Sequence, residues 1–399
     1  MNNTIKLAVA SALLAAATTA SAAGGIVAGD WTLDIGGNVN AYYINNNSSD
    51  SNVVAGGLAN TASTSGNNTT SINTGLLPSW LGVTGKTRQN DLDVEFAISL
   101  QPGASSKTSL AGGGANENRQ AYISFGDKSW GTILIGKNLG EFGRDAILND
   151  MTLLGVGSQG VVGTAGGTTT TLGRIGTGFL YADFNGQINY TTPNWNGFQA
   201  VVGVEQPLNT LNLGGALSLA SAGAQSSPGF MAKASYSFTG DFAGKVWGEV
   251  KTQDVDYSAT VSNQSTAYGI GAHVDVAGFG LTGYYYNGDG VGTTAFLMDG
   301  MAANGNSRDS DGGYVQALYT IPGIGTKVGA SWGVSNLDLA SGEAASTLVQ
   351  DNEMWTIGAY HPLTKHLNLV AEFSQVRATN QLEQENQSDI FSAGAILFF

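Results

Sequence analysis

Apolar and polar residues alternate one by one along most of this chain. Trp31, Leu33, Ile35, Val39, Ala41 and Tyr43 fall on one parity, and Thr32, Asp34, Asn38 and Asn40 on the other. The pattern returns in Val94, Phe96, Ile98 and Leu100 against Asp93, Glu95, Ala97 and Ser99, and again near residues 198–205, 314–321 and 367–374. A period of two places alternate side chains on opposite faces of a strand, so each segment has one oily face and one wet or small one. A chain built this way must fold as sheet and must give its oily face something other than water.

Between the alternating runs stand two kinds of connection. Seven are short clusters of turn formers: Arg88–Asp91, Gly126–Ser129, Pro193–Gly197, Thr239–Asp241, Ala277-Gly278, Pro322–Gly325 and Pro362–Lys365. Each has the Gly, Pro, Asn or Asp content of a hairpin turn. Eight are longer and less regular, near 45–77, 102–116, 139–184, 207–228, 255–263, 288–310, 338–349 and 379–385. The first is nearly pure Asn, Ser, Thr, Gly and Ala and reads as a solvated low-complexity loop. Seven turns and eight loops join sixteen strands, with both ends on the short-turn side.

Composition narrows what these strands build. Of 399 residues, 12% are charged, about half of the roughly 25% usual in soluble domains. Past residue 23 there is no run of about 20 apolar residues, which excludes a bundle of membrane-spanning helices. The formal charge of −14 argues against a nucleic-acid partner, which needs basic patches to displace counterions. No Cys is present, so thiol catalysis and Cys-ligated zinc are excluded, and no cofactor is expected. At the start, Lys6, the apolar run Leu7–Ala17 and Ala20-Ser21-Ala22 have the form of a secretory signal covering residues 1–22. Its removal leaves one domain, residues 23–399, with a charge of −15.

A meander with short turns at one rim and long loops at the other has the layout of an outer-membrane barrel. In lipid every backbone polar group must be paired, so such a sheet closes on itself. The expected fold is all-β: a 16-stranded antiparallel transmembrane β-barrel with long outer loops and short periplasmic turns. At this strand number the lumen is wide enough for water. The last strand fits the same reading, since Phe391, Ala393, Ala395, Leu397 and Phe399 share one parity. On a soluble edge those residues would promote aggregation.

Four stretches carry a family resemblance. Ser79-Trp80-Leu81-Gly82-Val83-Thr84-Gly85, then Arg119-Gln120-Ala121-Tyr122 with Gly131-Thr132 and Ile135-Gly136-Lys137, then Asn189–Phe198, and finally Phe399 occur in order along the chain. Together they resemble the general diffusion porins of Gram-negative outer membranes. The resemblance implies a third loop folded inward into the barrel and a homotrimer in the outer membrane, in contact with membrane lipid and lipopolysaccharide. It also implies insertion by the barrel-assembly machinery through recognition of the C-terminal strand, with Phe399 as the assembly signal. The chain is therefore expected to form a water-filled channel for passive diffusion of small hydrophilic solutes.

The third loop is the longest, and it carries Glu141, Arg144, Asp145, Asp150 and Arg174. By the resemblance, acids on this loop face basic residues of the wall across the narrowest point. Arg119 then matches a wall Arg and Arg174 one at the loop's return, while Glu141 and Asp145 match the acidic side loosely. Each loop carboxylate can equally be a solvated surface charge. Trp80 stands where the family commonly has Arg, and its parity with Gly82, Thr84 and Lys86 points it to the lumen; the other reading is an interfacial aromatic at a membrane edge. The acidic balance predicts a cation-preferring channel.

Other classes fit less well. An enzyme is not expected, although His273 and Asp275 share an inward parity and could form an acid–base pair. A substrate-specific channel would need an aromatic track, for which Trp80, Tyr284 and Tyr286 are the inward candidates. Asp309-Ser310-Asp311-Gly312 resembles part of a calcium loop but lacks the closing Glu. A structural or adhesive barrel with little conductance is the remaining alternative.

Overall fold

The structure, a computed structural model, describes residues 25–60, 67–104, 116–159, 170–210, 225–258 and 261–399. The expected signal segment lies outside the described residues. In chain order the strands are β1 (Ile26–Ala28), β2 (Trp31–Ser48), β3 (Asn68–Asn73), β4 (Trp80–Gln89), β5 (Leu92–Pro102), β6 (Asn116–Asp127), β7 (Gly131–Leu139), β8 (Phe184–Thr191) and β9 (Phe198–Glu205). They continue as β10 (Gly229–Phe238), β11 (Ala243–Ser258), β12 (Val261–Val276), β13 (Phe279–Asp289), β14 (Asp309–Thr320), β15 (Lys327–Leu337), β16 (Val349–Pro362), β17 (Leu367–Asn380) and β18 (Glu385–Phe398).

Each strand from β4 to β18 pairs antiparallel with the next, and β18 pairs back onto β2 from Phe398↔Asn38 to Ser388↔Ser48. The sheet is a closed barrel. Two of the eighteen strands share wall positions with others. Thr32 and Leu33 pair with β1 on one flank and with β4 on the other, while Asn38 pairs with β18 and β4. So β1 continues the position of β18 below its end. On the opposite flank β4 pairs with residues 32–38 of β2 and β3 with residues 42–47, so β3 stands above β4. Sixteen wall positions remain, as expected from the turns and loops.

Between β3 and β4 the wall is interrupted, and asparagine side chains repair the gap. Asn38 Nδ2 donates to Pro78 O at 3.0 Å, and Asn40 Nδ2 to Leu77 O at 2.9 Å. Asn40 Oδ1 accepts from Gly75 N at 2.9 Å, and Asn40 N donates to Ser79 Oγ at 3.1 Å. Backbone groups left unpaired in a dry wall are costly, and these amides take their place.

The two faces are inverted relative to a soluble protein. On β2, outward Val39 is 61% exposed while inward Asn40 is 2% exposed. Leu81, Ile98, Ile188, Phe230, Ile270 and Ile357 likewise stand exposed on the outside. Only a lipid-facing band makes such exposure favourable. No helix among the described residues is long and apolar enough to cross a membrane; the strands do the crossing.

All seven expected turns are present. Asn90 and Asp91 both have positive φ (49° and 63°), as do Ala277 and Gly278 (50° and 87°), the backbone that two-residue hairpins require. The long-loop rim differs from expectation in three places. The fifth connection is short, because β11 runs to Ser258 and β12 starts at Val261, and the eighth is only residues 381–384. The first is not simply a solvated loop: β2 extends to Ser48, β3 adds to it, and Leu58 and Ala59 are buried against the barrel's inside. Asp309 to Gly312 form the start of β14, paired with β13, rather than a calcium-type loop.

The β18–β2 seam ends in one close approach. Gly37 N donates to Phe399 O at 3.0 Å and Phe399 N to Gly37 O at 3.1 Å. A β-carbon on Gly37 would stand 2.1 Å from Trp80 O and 2.9 Å from the Phe399 ring. Overpacking of this kind costs about 1–3 kcal/mol. Gly37→Val is expected to lower the temperature at which the folded barrel converts to the unfolded band in detergent gels, by several degrees relative to Gly36→Ala.

Candidate functional site: the third loop and the passage beside it

The third loop, L3, leaves β7 at Leu139 and rejoins the wall at Phe184. Gly143, at φ 76°, starts a short helix, α1 (Arg144–Asn149), and a single 3₁₀ turn follows at Met151–Leu154. Asp150 caps that turn, accepting from Thr152 N at 3.1 Å. The loop turns inward because its carbonyls and amides find partners on inward-facing wall side chains. Tyr314 OH donates to Ala146 O at 2.7 Å. Gln316 donates to Asn149 O at 2.6 Å and accepts from Met151 N at 2.7 Å. Glu372 accepts from Val156 N at 2.7 Å and Gly157 N at 3.0 Å, and Tyr42 OH donates to Leu154 O at 2.6 Å. These partners sit on β14, β17 and β2, so L3 lies across the barrel from one wall to another.

Its neck is tied to β10 and β11 by ion pairs. Lys233 Nζ lies 2.5 Å from Glu141 and 3.1 Å from Asp145. Lys245 pairs with Asp145 on its other side. Arg144 pairs with Glu141 at 2.5 Å, and Glu249 accepts from Gly143 N at 2.9 Å. Nearby, Lys251 pairs with Glu205 at 2.5 Å. Burial works against charge on Asp145, but Lys233 and Lys245 outweigh it and hold the carboxyl at about 2. Burial opposes charge on Glu141 too, and Arg144 with Lys233 brings its pKa below the ordinary carboxylate value.

Glu141, Arg144 and Asp145 thus come together as one cluster. Asp150 and Arg174 are elsewhere: both side chains are fully buried between loop and wall, 3.8 Å apart. Arg174 donates to Met354 O at 3.0 Å and to Ser331, and lies over the Tyr314 ring. They fasten the loop and do not line the open passage. Burial pushes the Asp150 carboxyl above its ordinary value, against the pull of Arg174.

The passage that remains is a cavity of about 960 Å³ between L3 and the wall from β2 to β11. Trp80, Lys86 and Arg119 line it from the wall, and Glu141, Arg144 and Asp145 from the loop. Lys86 pairs with Glu95 at 3.4 Å. Arg119 bonds Glu117 at 2.8 Å, with its guanidinium 5.4 Å from the Phe184 ring centre. Phe399 does not line this passage; it stands at the seam described above.

Sequence reasoning passed over Lys233, Lys245, Glu249, Lys251 and Glu205. The signal was available, since all five fall on the inward parity of their strands. The aromatic track is not formed by Tyr284 and Tyr286, which L3 and the sixth loop cover; they are 5% and 0% exposed. His273 does meet Asp275, Nε2 to Oδ2 at 3.3 Å, and its Nδ1 is 2.8 Å from Thr282 Oγ1. That hydroxyl is buried and also receives Gln316 Nε2 at 3.3 Å, so the row supports the residue that holds L3.

Two tests address the loop's seat. Because Asp145 and Glu141 titrate below an unfolded carboxylate, their contribution is complete above about pH 5 and is lost as pH falls through the folded values. Resistance of L3 to an acid-active protease should therefore be greatest at about pH 5 and fall towards pH 2. Lys233→Met leaves buried acids short of a partner, a change worth about 3–5 kcal/mol. It should raise open-channel current noise and expose L3 to proteolysis, with Glu141→Gln in the same chain recovering part of the loss.

Several solved outer-membrane proteins share this fold. The outer membrane channel DcaP of Acinetobacter baumannii is similar at 15% identity and TM-score 0.67, covering 94% of this chain and 100% of that one. OmpF of Salmonella typhi, solved in complex with daunomycin, is similar at 14% identity and TM-score 0.62, over 94% and 99%. OmpT of Vibrio cholerae follows at 15% and 0.56, over 94% and 99%. No curated protein matches the sequence significantly. At these identities the structures show a shared fold. The sequence itself matches the Gram-negative porin family over residues 8–381. A closed sixteen-stranded barrel with an inward third loop and that match over most of its length identify the chain as a member of the Gram-negative porin family of the outer membrane.

Proposed function

We propose that the protein is a passive diffusion channel for small hydrophilic solutes and ions, with a cation preference set mainly at its outer mouth. The observation that carries this reading is the passage itself, a cavity left open beside L3 and lined by charges of both signs as well as by apolar side chains. Lys86 pairs with Glu95 and Arg119 with Glu117 along the wall, and Lys245 meets Asp145 of the loop, so paired charges of both signs border the passage. Charged groups at the border of the passage order water and disfavour wholly apolar solutes. Because the signs nearly balance within the passage, selectivity arises where they do not.

The outer rim is acidic. Asp254, Asp289, Asp309, Asp351, Glu383 and Glu385 stand at or near the strand ends on that side. Among the described residues of this rim, Arg308 and Arg377 are already engaged, with Glu343 at 2.5 Å and with Glu353 and Glu385 at 3.5 and 3.2 Å. A rim of this sign concentrates cations. In this reading Glu141, Arg144 and Asp145 form the loop side of the constriction and Trp80, Lys86 and Arg119 its wall side. Asp150 and Arg174 keep the loop in place. Function is sieving, with no bond-making step.

A homotrimer embedded in membrane lipid and lipopolysaccharide is part of the proposal. OmpT of Vibrio cholerae, similar over 92% of this chain with TM-score 0.54, has been solved in a trimer form. Phe399 is the proposed signal for the barrel-assembly machinery.

Conductance of the full chain in planar bilayers is the direct test. Ohmic steps in groups of three are expected, and absence of conductance overturns the channel reading in favour of a structural barrel. Rim charges are screened over about 10 Å at 0.1 M salt and about 3 Å at 1 M. The reversal potential under a tenfold KCl gradient should therefore show clear cation preference at low mean salt and little at 1 M. Anion preference at low salt would refute the mouth mechanism.

A further inference from the structure

One wall of the passage is unlike the rest. Trp80 opens β4 on its inner face, and its six-membered ring rests on Gly82, two residues further along the same face. A β-carbon on Gly82 would stand 2.3 Å from Cζ3 of that ring and 3.0 Å from Cε3. The indole lies down along the wall because residue 82 has no side chain to hold it off. It is only partly buried and lines the cavity together with Leu77 and Pro78.

L3 brings further apolar groups to the same place. Leu76 N donates to Gly155 O at 2.9 Å and Leu77 N to Leu153 O at 3.2 Å, so the end of the first loop is bonded to the third. Leu76 and Leu153 belong to one buried cluster, against which the half-buried Leu77, Leu148 and Leu172 pack. Leu148, Leu153 and Leu172 all reach the cavity surface. The passage therefore has an apolar strip, from Trp80 and Leu77 to Leu148 and Leu172. Elsewhere on the same cavity stand Arg119, Arg144, Asp145 and Lys245. Water gains nothing from an indole and leucines in its path, and a purely hydrophilic solute has no use for them. An apolar surface with a few charged groups nearby is the make-up of a small-molecule site.

Building on the channel reading above, we propose that this strip is a transient binding site for small solutes that carry a planar aromatic ring and a charged or zwitterionic end. The ring stacks on Trp80 and meets the leucines of L3, and the charged end is held by the arginine, lysine and carboxylate groups of the opposite strip. Aromatic rings favour offset or edge contacts with one another, which the exposed part of the indole can supply. The channel then passes such solutes by a bind-and-release step, while small hydrophilic ones cross without pausing.

The test uses the full chain in planar bilayers with L-tryptophan as probe and glycine as control. Millimolar L-tryptophan is expected to give brief, concentration-dependent interruptions of the ion current, and glycine none. Trp80→Ala should weaken the block at least tenfold while the pore still conducts. Trp80→Phe should keep most of it. Gly82→Ala, which lifts the ring without removing it, should weaken the block to an intermediate degree. A conducting wild-type pore with no response to L-tryptophan overturns this inference and leaves the channel reading standing. So does a block of equal strength in Trp80→Ala. Absence of conductance overturns both.

Discussion

The requirement that backbone N–H and C=O groups be paired within lipid governs this molecule. It forces the sheet to close, and closing it brings β18 onto β2 and sets Phe399 against Gly37. Once closed, the barrel has an outside that must be oily and an inside free to be polar. The low charge content follows, because outward positions need none. The interior then has more polar side chains than water needs, and L3 is what uses them. Its helix and turn expose unpaired carbonyls and amides, and Tyr314, Gln316 and Glu372 on the wall supply the missing partners.

Hydrogen bonds position the far part of L3, whereas charges hold its neck. The cluster of Glu141, Asp145, Lys233, Lys245 and Arg144 is nearly neutral as a group, which lets several ionised side chains be buried together. This arrangement narrows the passage on one side only. The wall from β4 to β9 stays in contact with the cavity, while much of the opposite wall is covered. A solute therefore meets two surfaces of different origin, a rigid strand wall and a docked loop.

Much of this was legible in the chain, and the losses have physical causes. The seven turns were readable because tight hairpins need residues that accept positive φ, as at Asn90-Asp91. The fifth and eighth connections were misread as long loops because strands that rise above the lipid lose their oily face. Asp254 and Asp256 near the end of β11, or Asn380 at the end of β17, then look like loop residues. Arg119 shares the odd parity of the outward Ile123 in the sequence, yet lines the passage, because the β5–β6 register shifts between Ser99 and Gln101. Within L3 the charged residues were identifiable, but not which side of the loop each would face. Glu141 and Asp145 reached the passage, whereas Asp150 and Arg174 turned to the wall.

The interruption between β3 and β4 has a consequence for how the chain tolerates change. Both strands take their register from β2, one from its upper half and one from its lower half, and neither is paired to the other. The linker joining β2 to β3 can therefore lengthen or shorten without shifting the stagger of the barrel. Strand tilt and diameter, which depend on that stagger, are insulated from events at the mouth. The surface most exposed to the cell's surroundings can vary while the bore beneath it keeps its shape.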